Sequence, residues 1–382
     1  MKSISEVKVD VLVIGAGGAG LRAAIAACEK GANTLVVSKG PVGRSGATAV
    51  AGWGLQAAFG HIDAHDSPQQ HFYDTIREGK GLAEQNLVKV LAENSPARVL
   101  DLEKYQVKIK KSDDEQKYVQ LAGPGETYPR SVILKEEGKG LISGLKRQCK
   151  KLNIPIVEDI IIYRLFRNEE NICGAIGINL RDGSFLLINS PSIILATGGN
   201  CGLWSITDNP PNNIGDGFYL AYQAGVELVD MEMVLFYPTV VLYPLAAQGV
   251  LIDYEACLHP DICRGKLLNA HGQEFIFENS LPTRDVLVRL ISQEIKKGLG
   301  TDRGGVYLDL SCSPKSPKDI ENNLYELMGS VFKYLKNMDI DLVKEKIEVA
   351  PAAHYTLGGI RINERCETNI LGLFAAGECA ND

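Results

Sequence analysis

The 382-residue sequence predicts an α/β fold built on a parallel sheet, with a second domain inserted into it. Three observations carry that reading. Val11-Leu-Val-Ile14 runs directly into Gly15-Ala16-Gly17-Gly18-Ala19-Gly20 and then into an alanine-rich helix. A second apolar run, Ile193-Ile-Leu-Ala196, breaks at Thr197-Gly198-Gly199. The composition changes near Met233 and changes back near Val349. These divide the chain into residues 1–232 plus 350–382 and an insert over residues 233–349.

The first run is a dinucleotide-binding fingerprint and makes the larger domain Rossmann-like. Gly15 permits the tight turn, Gly17 keeps side chains away from a pyrophosphate, and Gly20 lets the helix lie close on the strand. The helix N-terminus then offers its N–H groups and positive dipole end to phosphate. The second strand, Thr34–Val37, ends in Ser38-Lys39 instead of the Asp or Glu that grips an adenosine ribose, which argues against an ordinary nicotinamide dehydrogenase. Gly40 to Gly60, rich in Gly, Ala and Ser and including Ser45, Gly46, Gly52, Trp53 and Gly54, is too long for a simple connector and suits backbone packed on a flat ligand. Ser67-Pro68 opens a helix to about Gly79, and another covers about Ala83 to Glu103. Residues 105–121 alternate as a solvated hairpin, and Gly140 to Cys149 is helical. Ile154 to Ile162, Ile172 to Leu180 and Phe185 to Asn189 read as strands, and Ile193 to Ala196 as a central strand ending at the ligand crevice. In the insert, Arg284 to Lys297 and Lys318 to Met338 have helical charge spacing, while Pro238 to Pro260 reads as irregular. Ile360-Arg-Ile-Asn and Gly372 to Glu378 return the chain to the first domain.

Composition removes several function classes. A net charge of −7 with scattered basic residues gives no footprint for nucleic acid. No stretch of 18 apolar residues is present and no signal-peptide apolar region precedes the first strand, so a cytoplasmic protein without direct membrane insertion is expected. The nine cysteines form no CxxC pair and no close cluster, so no metal site is expected and any iron–sulfur centre belongs to another polypeptide.

Eight short motifs, in order along the chain, together resemble the flavoprotein subunit of the succinate dehydrogenase and fumarate reductase family, which includes L-aspartate oxidase. They are Gly15–Gly20, Val37-Ser38-Lys39, Ala196–Gly199, Gly215-Asp216-Gly217, Phe236-Tyr237-Pro238-Thr239, Thr283-Arg284-Asp285, His354–Gly359 and Gly372–Glu378. The resemblance implies an FAD-binding domain with an inserted α+β capping domain. It implies FAD held by Gly15, Ala16, Gly17, Gly18, Ala19, Gly20, Ser38, Lys39, Ser45, Gly46, Gly52, Gly54, Ala196, Thr197, Gly198, Asp216 and Glu378. Members of membrane complexes tether the flavin to a histidine in the loop matching residues 44–54. No histidine stands there, and His61 and His65 lie beyond it, so the resemblance implies non-covalent FAD and leans toward fumarate reduction.

By the same resemblance, hydride passes between the flavin and one carbon of a small dicarboxylate while Arg284 exchanges a proton with its neighbour. Glu255 would recharge Arg284, because a guanidinium is a poor acid alone, and His354 would hold a substrate carboxylate. An iron–sulfur electron-transfer subunit is the implied partner. Three positions depart from the family pattern: Tyr237 and Tyr254 replace the usual His and Thr that contact a substrate carboxylate, and Arg264-Gly265 is displaced. A tyrosine there still offers one hydrogen bond to a substrate. The family's chain continues past the Glu378 motif, so a truncation is expected. The alternatives are L-aspartate oxidase, an adenylylsulfate reductase-like flavoprotein and a non-catalytic FAD-binding subunit. Keeping Arg284, Glu255 and His354 together argues against decay.

Overall fold

The computed structural model describes residues 4–52, 54–123, 125–169, 171–276 and 281–381. Trp53 therefore lies outside the described residues. Two compact units are present: Met1–Asn200, Pro210–Met233 and Thr356–Asp382 form the first, and Cys201–Asn209 with Val234–Tyr355 form the second.

In the first unit, five parallel strands run in the order Leu373–Ala375, Ser192–Leu195, Val11–Ile14, Thr34–Val37, Ile156–Val157. Alternate residues of these strands enter different cores. Leu12, Ile14, Leu35, Val37, Ile193 and Leu195 pack on one side with Phe218 and Leu220. Val13 and Val36 pack on the other with Leu21, Ala24 and Ile25 of the Gly18–Glu29 helix and with Ile142 and Leu145 of Glu137–Lys151. Covering on both faces explains why these strands read as unbroken apolar runs. A second, four-stranded sheet has the order Ile4–Lys8, Phe185–Asn189, Asn171–Asn179, Ile160–Asn168.

The expected single strand Ile154 to Ile162 is in fact two. Asp159 adopts φ 62°, and this left-handed residue lets Ile156–Val157 finish the parallel sheet while Ile160–Asn168 begins the other. Residues 105–121 turn back on themselves through the antiparallel bridge Lys111 to Tyr118, with the Val119 N–H donating to the Lys110 carbonyl at 3.0 Å, and this short hairpin is joined to its neighbours by the bridge Ile109 to Leu134 and the two-residue strand Gln120–Leu121.

The Pro68–Glu78 helix is capped by the Ser67 hydroxyl, which accepts from Gln70 N–H at 3.2 Å. Beneath it lies a buried ionic group. Arg130, 1% exposed, bonds Asp66 at 2.9 Å and Asp74 at 2.6 Å. Asp74 also accepts from the Thr127 backbone and hydroxyl at 2.9 and 2.6 Å.

In the second unit, four strands lie in the order Val234–Tyr243, Ile347–Thr356, Val306–Asp309, Lys266–Leu268. Part of the stretch expected to be irregular is therefore ladder, and Pro238 sits inside the first of these strands. Val240, Val241, Val306, Leu308 and Val349 make one core with Leu287 and Ile291 of the Arg284–Lys296 helix and Leu324, Phe332 and Leu335 of Pro317–Lys336. The unit also takes in residues 201–209 and reaches Tyr355, which moves both sequence boundaries. The reason is backbone pairing: Ala353 N–H donates to the Ile206 carbonyl at 3.0 Å and the Thr207 hydroxyl donates to the Ala353 carbonyl at 2.9 Å.

Candidate functional site

In the first unit a cavity of about 360 Å³ opens where the parallel strands end. Gly15, with φ 108°, makes the turn; a Cβ there would sit 2.1 Å from the Ala196 carbonyl oxygen. The Gly18–Glu29 helix then begins, and no side-chain oxygen caps its Gly17 end. Among the described residues, the Gly18 N–H has a side-chain acceptor, Thr48 Oγ1 at 3.2 Å. Ala16, Gly17, Gly18, Ala19, Ser38, Lys39, Ser45, Gly46, Ala196, Thr197, Gly198, Asp216 and Glu378 line the same cavity.

Three of the expected cofactor residues do not line it. A Cβ on Gly20 would stand 1.9 Å from the Gly15 carbonyl oxygen and 3.3 Å from the Ala196 Cβ, so this glycine serves the close approach of the helix to the turn. Gly52 is exposed, with open space where a Cβ would be. Gly54 pairs with Ile133 in a small antiparallel sheet, and a Cβ would meet the Val132 carbonyl oxygen at 2.2 Å. Its need for glycine comes from the sheet.

The polar groups of the cavity are already organised. Ser38 Oγ donates to the Gly40 carbonyl at 2.7 Å, and Ser45 Oγ to the Pro41 carbonyl at 2.8 Å. Lys39 pairs with Asp216, the first residue of the Asp216–Ala224 helix. Glu378 accepts from the Thr356 backbone N–H at 3.2 Å. Backbone N–H groups at an uncapped helix end, small side chains and an ion pair able to exchange partners fit the pyrophosphate and hydroxyl groups of FAD. Thr48 was missed by sequence reasoning. Its only signal was a hydroxyl residue inside the Gly40 to Gly60 loop.

The catalytic candidates come together in the second unit. Val234–Tyr243 presents Tyr237, and the Arg284–Lys296 helix is seated by Leu287 and Ile291 so that Arg284 occupies its first turn. The Thr239 carbonyl accepts from the Ile252 N–H at 2.9 Å and the Thr239 hydroxyl donates to the Ile252 carbonyl at 2.6 Å, which fixes the segment carrying Asp253, Tyr254 and Glu255. Arg284 Nε and Nη2 both donate to Glu255 Oε1 at 3.1 Å, and the Tyr237 hydroxyl donates to Glu255 Oε2 at 2.6 Å. The guanidinium carbon lies 5.1 Å from the Tyr237 ring centroid. Burial works against the Arg284 charge, yet the Glu255 carboxylate and the surrounding phenols outweigh it and push its pKa upward.

Two tyrosine roles differ from the expectation. Tyr237 commits its hydroxyl to Glu255 rather than holding it for a substrate. Tyr254 is fully buried and donates to the Pro282 carbonyl at 3.2 Å, bracing the turn that leads into Arg284. His354 stands beside Tyr237, ring centroids 5.3 Å apart, and its Nδ1 lies 2.6 Å from Asp208 Oδ2. Asp208 escaped the sequence reading because it is 146 residues away and arrives through the Thr207 pairing. Asp285 turns elsewhere: it accepts from Thr283 Oγ1 at 2.6 Å and from Arg289 at 2.8 Å. Arg264 is exposed, in a left-handed turn. A carboxylate-backed guanidinium beside an imidazole can hold a carboxylate and move a proton.

Among the described residues no group of three or more His, Cys, Asp or Glu side chains is placed to hold a metal ion, and no helix is long and apolar enough to cross a membrane.

The family described as "FAD binding domain" matches residues 10–382. The fumarate reductase (CoM/CoB) of Methanothermobacter marburgensis contains a polypeptide that is 36% identical over 377 residues, covering 97% of this chain and 66% of that protein. The L-aspartate oxidase of Saccharolobus solfataricus is 33% identical over 377 residues, covering 96% and 70%. Among solved structures, Mycobacterium smegmatis Sdh1 in complex with UQ1 superposes with a TM-score of 0.87 at 33% identity, over 99% of this chain and 64% of that one. The chain thus spans about two thirds of the length of relatives it matches.

Proposed function

Since the chain belongs to the FAD binding domain family, we propose that it is the flavoprotein part of a fumarate reductase or succinate dehydrogenase type enzyme acting on a small dicarboxylate. The observation that carries this reading is the Arg284–Glu255 pair, in which one carboxylate oxygen takes two guanidinium N–H groups and the other takes the Tyr237 hydroxyl. Bound FAD would rest on the Gly15–Ala19 turn, Gly198, Asp216 and Glu378, and supplies the hydride chemistry. Arg284 holds a substrate carboxylate and delivers a proton to the carbon next to the one that takes hydride. Glu255 keeps the guanidinium edge oriented and returns the proton, because an arginine alone is too weak an acid to cycle. His354, its Nδ1 held by Asp208, offers its other ring nitrogen to the same substrate. An iron–sulfur subunit is the proposed electron partner.

The test is dye-linked reduction of fumarate by the full-length, FAD-loaded protein. Turnover with fumarate is the expected result. Hydrogen peroxide release with L-aspartate, and none with succinate, would place the protein with the L-aspartate oxidase of S. solfataricus instead.

The flavin is expected to be non-covalent. His61 is held away from the cavity, its Nδ1 accepting the Tyr118 N–H at 2.9 Å and its ring packed on Phe59, and His65 is exposed beside Asp63. Acid precipitation should leave the yellow colour in the supernatant. Flavin that stays in the washed pellet would contradict this.

A further inference from the structure

Tyr237 stands where the family pattern has a histidine that contacts a substrate carboxylate, and the structure gives it a different set of neighbours. All three catalytic candidates stand against it. Its hydroxyl donates to Glu255 Oε2 at 2.6 Å, its ring centroid lies 5.1 Å from the Arg284 guanidinium carbon, and the His354 ring is 5.3 Å away. Tyr254 packs edge-on against it at 5.8 Å and is itself tied to the Pro282 carbonyl. At 3% exposure the Tyr237 ring has little room to swing.

The pair that Tyr237 touches is not the usual fork-on-fork arrangement, in which an arginine uses both oxygens of a carboxylate. Nε and Nη2 of Arg284 both end on Oε1. A carboxylate held by one oxygen keeps the freedom of its terminal torsion, which is broad for glutamate. The phenol on Oε2 removes that freedom.

We propose that Tyr237 is the positioning residue of the proton-transfer pair: its hydroxyl pins the second oxygen of Glu255, thereby fixes the edge that Arg284 presents to substrate, and makes no bond to the substrate itself. This role rests on the function proposed above. Burial first, and the Glu255 charge next, push the Tyr237 pKa well above the ordinary tyrosine value. The hydroxyl therefore keeps its proton and remains a donor, whereas an imidazole in its place would change charge near neutrality.

The test is steady-state kinetics of Tyr237→Phe in the full-length, FAD-loaded protein, with fumarate and a reduced dye. This variant loses one oxygen and keeps the ring beside Arg284 and His354. Its kcat should fall about 10- to 100-fold, the worth of one hydrogen bond to a charged group, with KM for fumarate within about twofold of the parent. A raised KM with kcat kept would mean that the hydroxyl bonds substrate, and would overturn the proposal. Unchanged kcat overturns it as well. Because Tyr237 acts through Glu255, Tyr237→Phe should cost little more in a Glu255→Gln background, and losses that multiply in the double variant would overturn that route.

Should Tyr237→Phe fail to fold, the tyrosine Raman difference between the parent and Glu255→Gln replaces it. One tyrosine should change from a strong to a weaker hydrogen-bond donor, and a difference spectrum without a tyrosine signal overturns the pairing. Full turnover of Arg284→Ala would sink the proposed function and this role with it. Turnover lost in Arg284→Ala and kept in Tyr237→Phe would sink this role alone.

Discussion

Arg284→Ala in the full-length, electron-fed enzyme is expected to lower turnover by about 10²- to 10⁴-fold, the usual worth of a positioned proton donor. FAD occupancy should not change, because Arg284 lies in the second unit and every FAD candidate lies in the first. Arg284→Lys should recover little. A lysine ammonium is a point charge on a flexible stem and cannot place two N–H groups on Glu255 Oε1 as the planar fork does. Both flavin content and dye-linked fumarate reduction are to be measured on one sample. Near-normal turnover of Arg284→Ala at full occupancy would mean that the proton comes from another group.

Arg130→Met should destabilise the protein by about 3–5 kcal/mol, the range found when one partner of a buried ionic group is removed. Asp66 and Asp74 are almost completely buried; without Arg130, Asp66 would lose the cation that answers it and Asp74 would keep only the half-exposed Arg77 at 2.9 Å. For Asp74 and His71 the pH dependence has a definite sign. Burial raises the Asp74 pKa, but hydrogen bonds from Thr127, Arg130 and Gln70 outweigh it and bring the carboxyl down to about 2. The stability it contributes is complete above its ordinary range near 4 and is lost as pH falls toward 2. His71, held neutral chiefly by burial and next by Arg130, has its pKa lowered to about 4. The unfolded chain then binds a proton that the folded chain refuses, so stability also declines as pH falls from about 6.5 to 4. Urea midpoints across pH, with unchanged slope, measure both effects. A loss under about 1 kcal/mol for Arg130→Met would show that the two aspartates relax to solvent.

The parallel sheet and its glycine turn were legible because both are local. A buried run followed by Gly15, Gly17 and Gly20 has few structural alternatives, and Ile193–Ala196 repeats the pattern. The antiparallel ladder of the second unit was not, because its strands lie far apart in sequence and Pro238 reads as a breaker when its neighbours are unknown. The same limit governed the site. Arg284, Glu255 and His354 were named from motifs, whereas Asp208 reaches His354 through one backbone pairing. Tyr237 was recognised as a departure, but its partner could be read only from the structure.

The order of the parallel strands also bears on how the chain is made. Ser192–Leu195 has Val11–Ile14 on one side, synthesised about 180 residues earlier, and Leu373–Ala375 on the other, synthesised about 180 residues later. While a ribosome is extending the intervening stretch, the backbone N–H and C=O groups on one flank of Ser192–Leu195 stay unpaired, and an open strand edge recruits other chains. The whole of residues 234–355 emerges during that interval with its own core available for folding. Emergence of Leu373–Ala375 therefore does more than lengthen the polypeptide. It supplies the strand that retires a sticky edge, and a nascent chain stalled before Leu373 would be a natural client for chaperones.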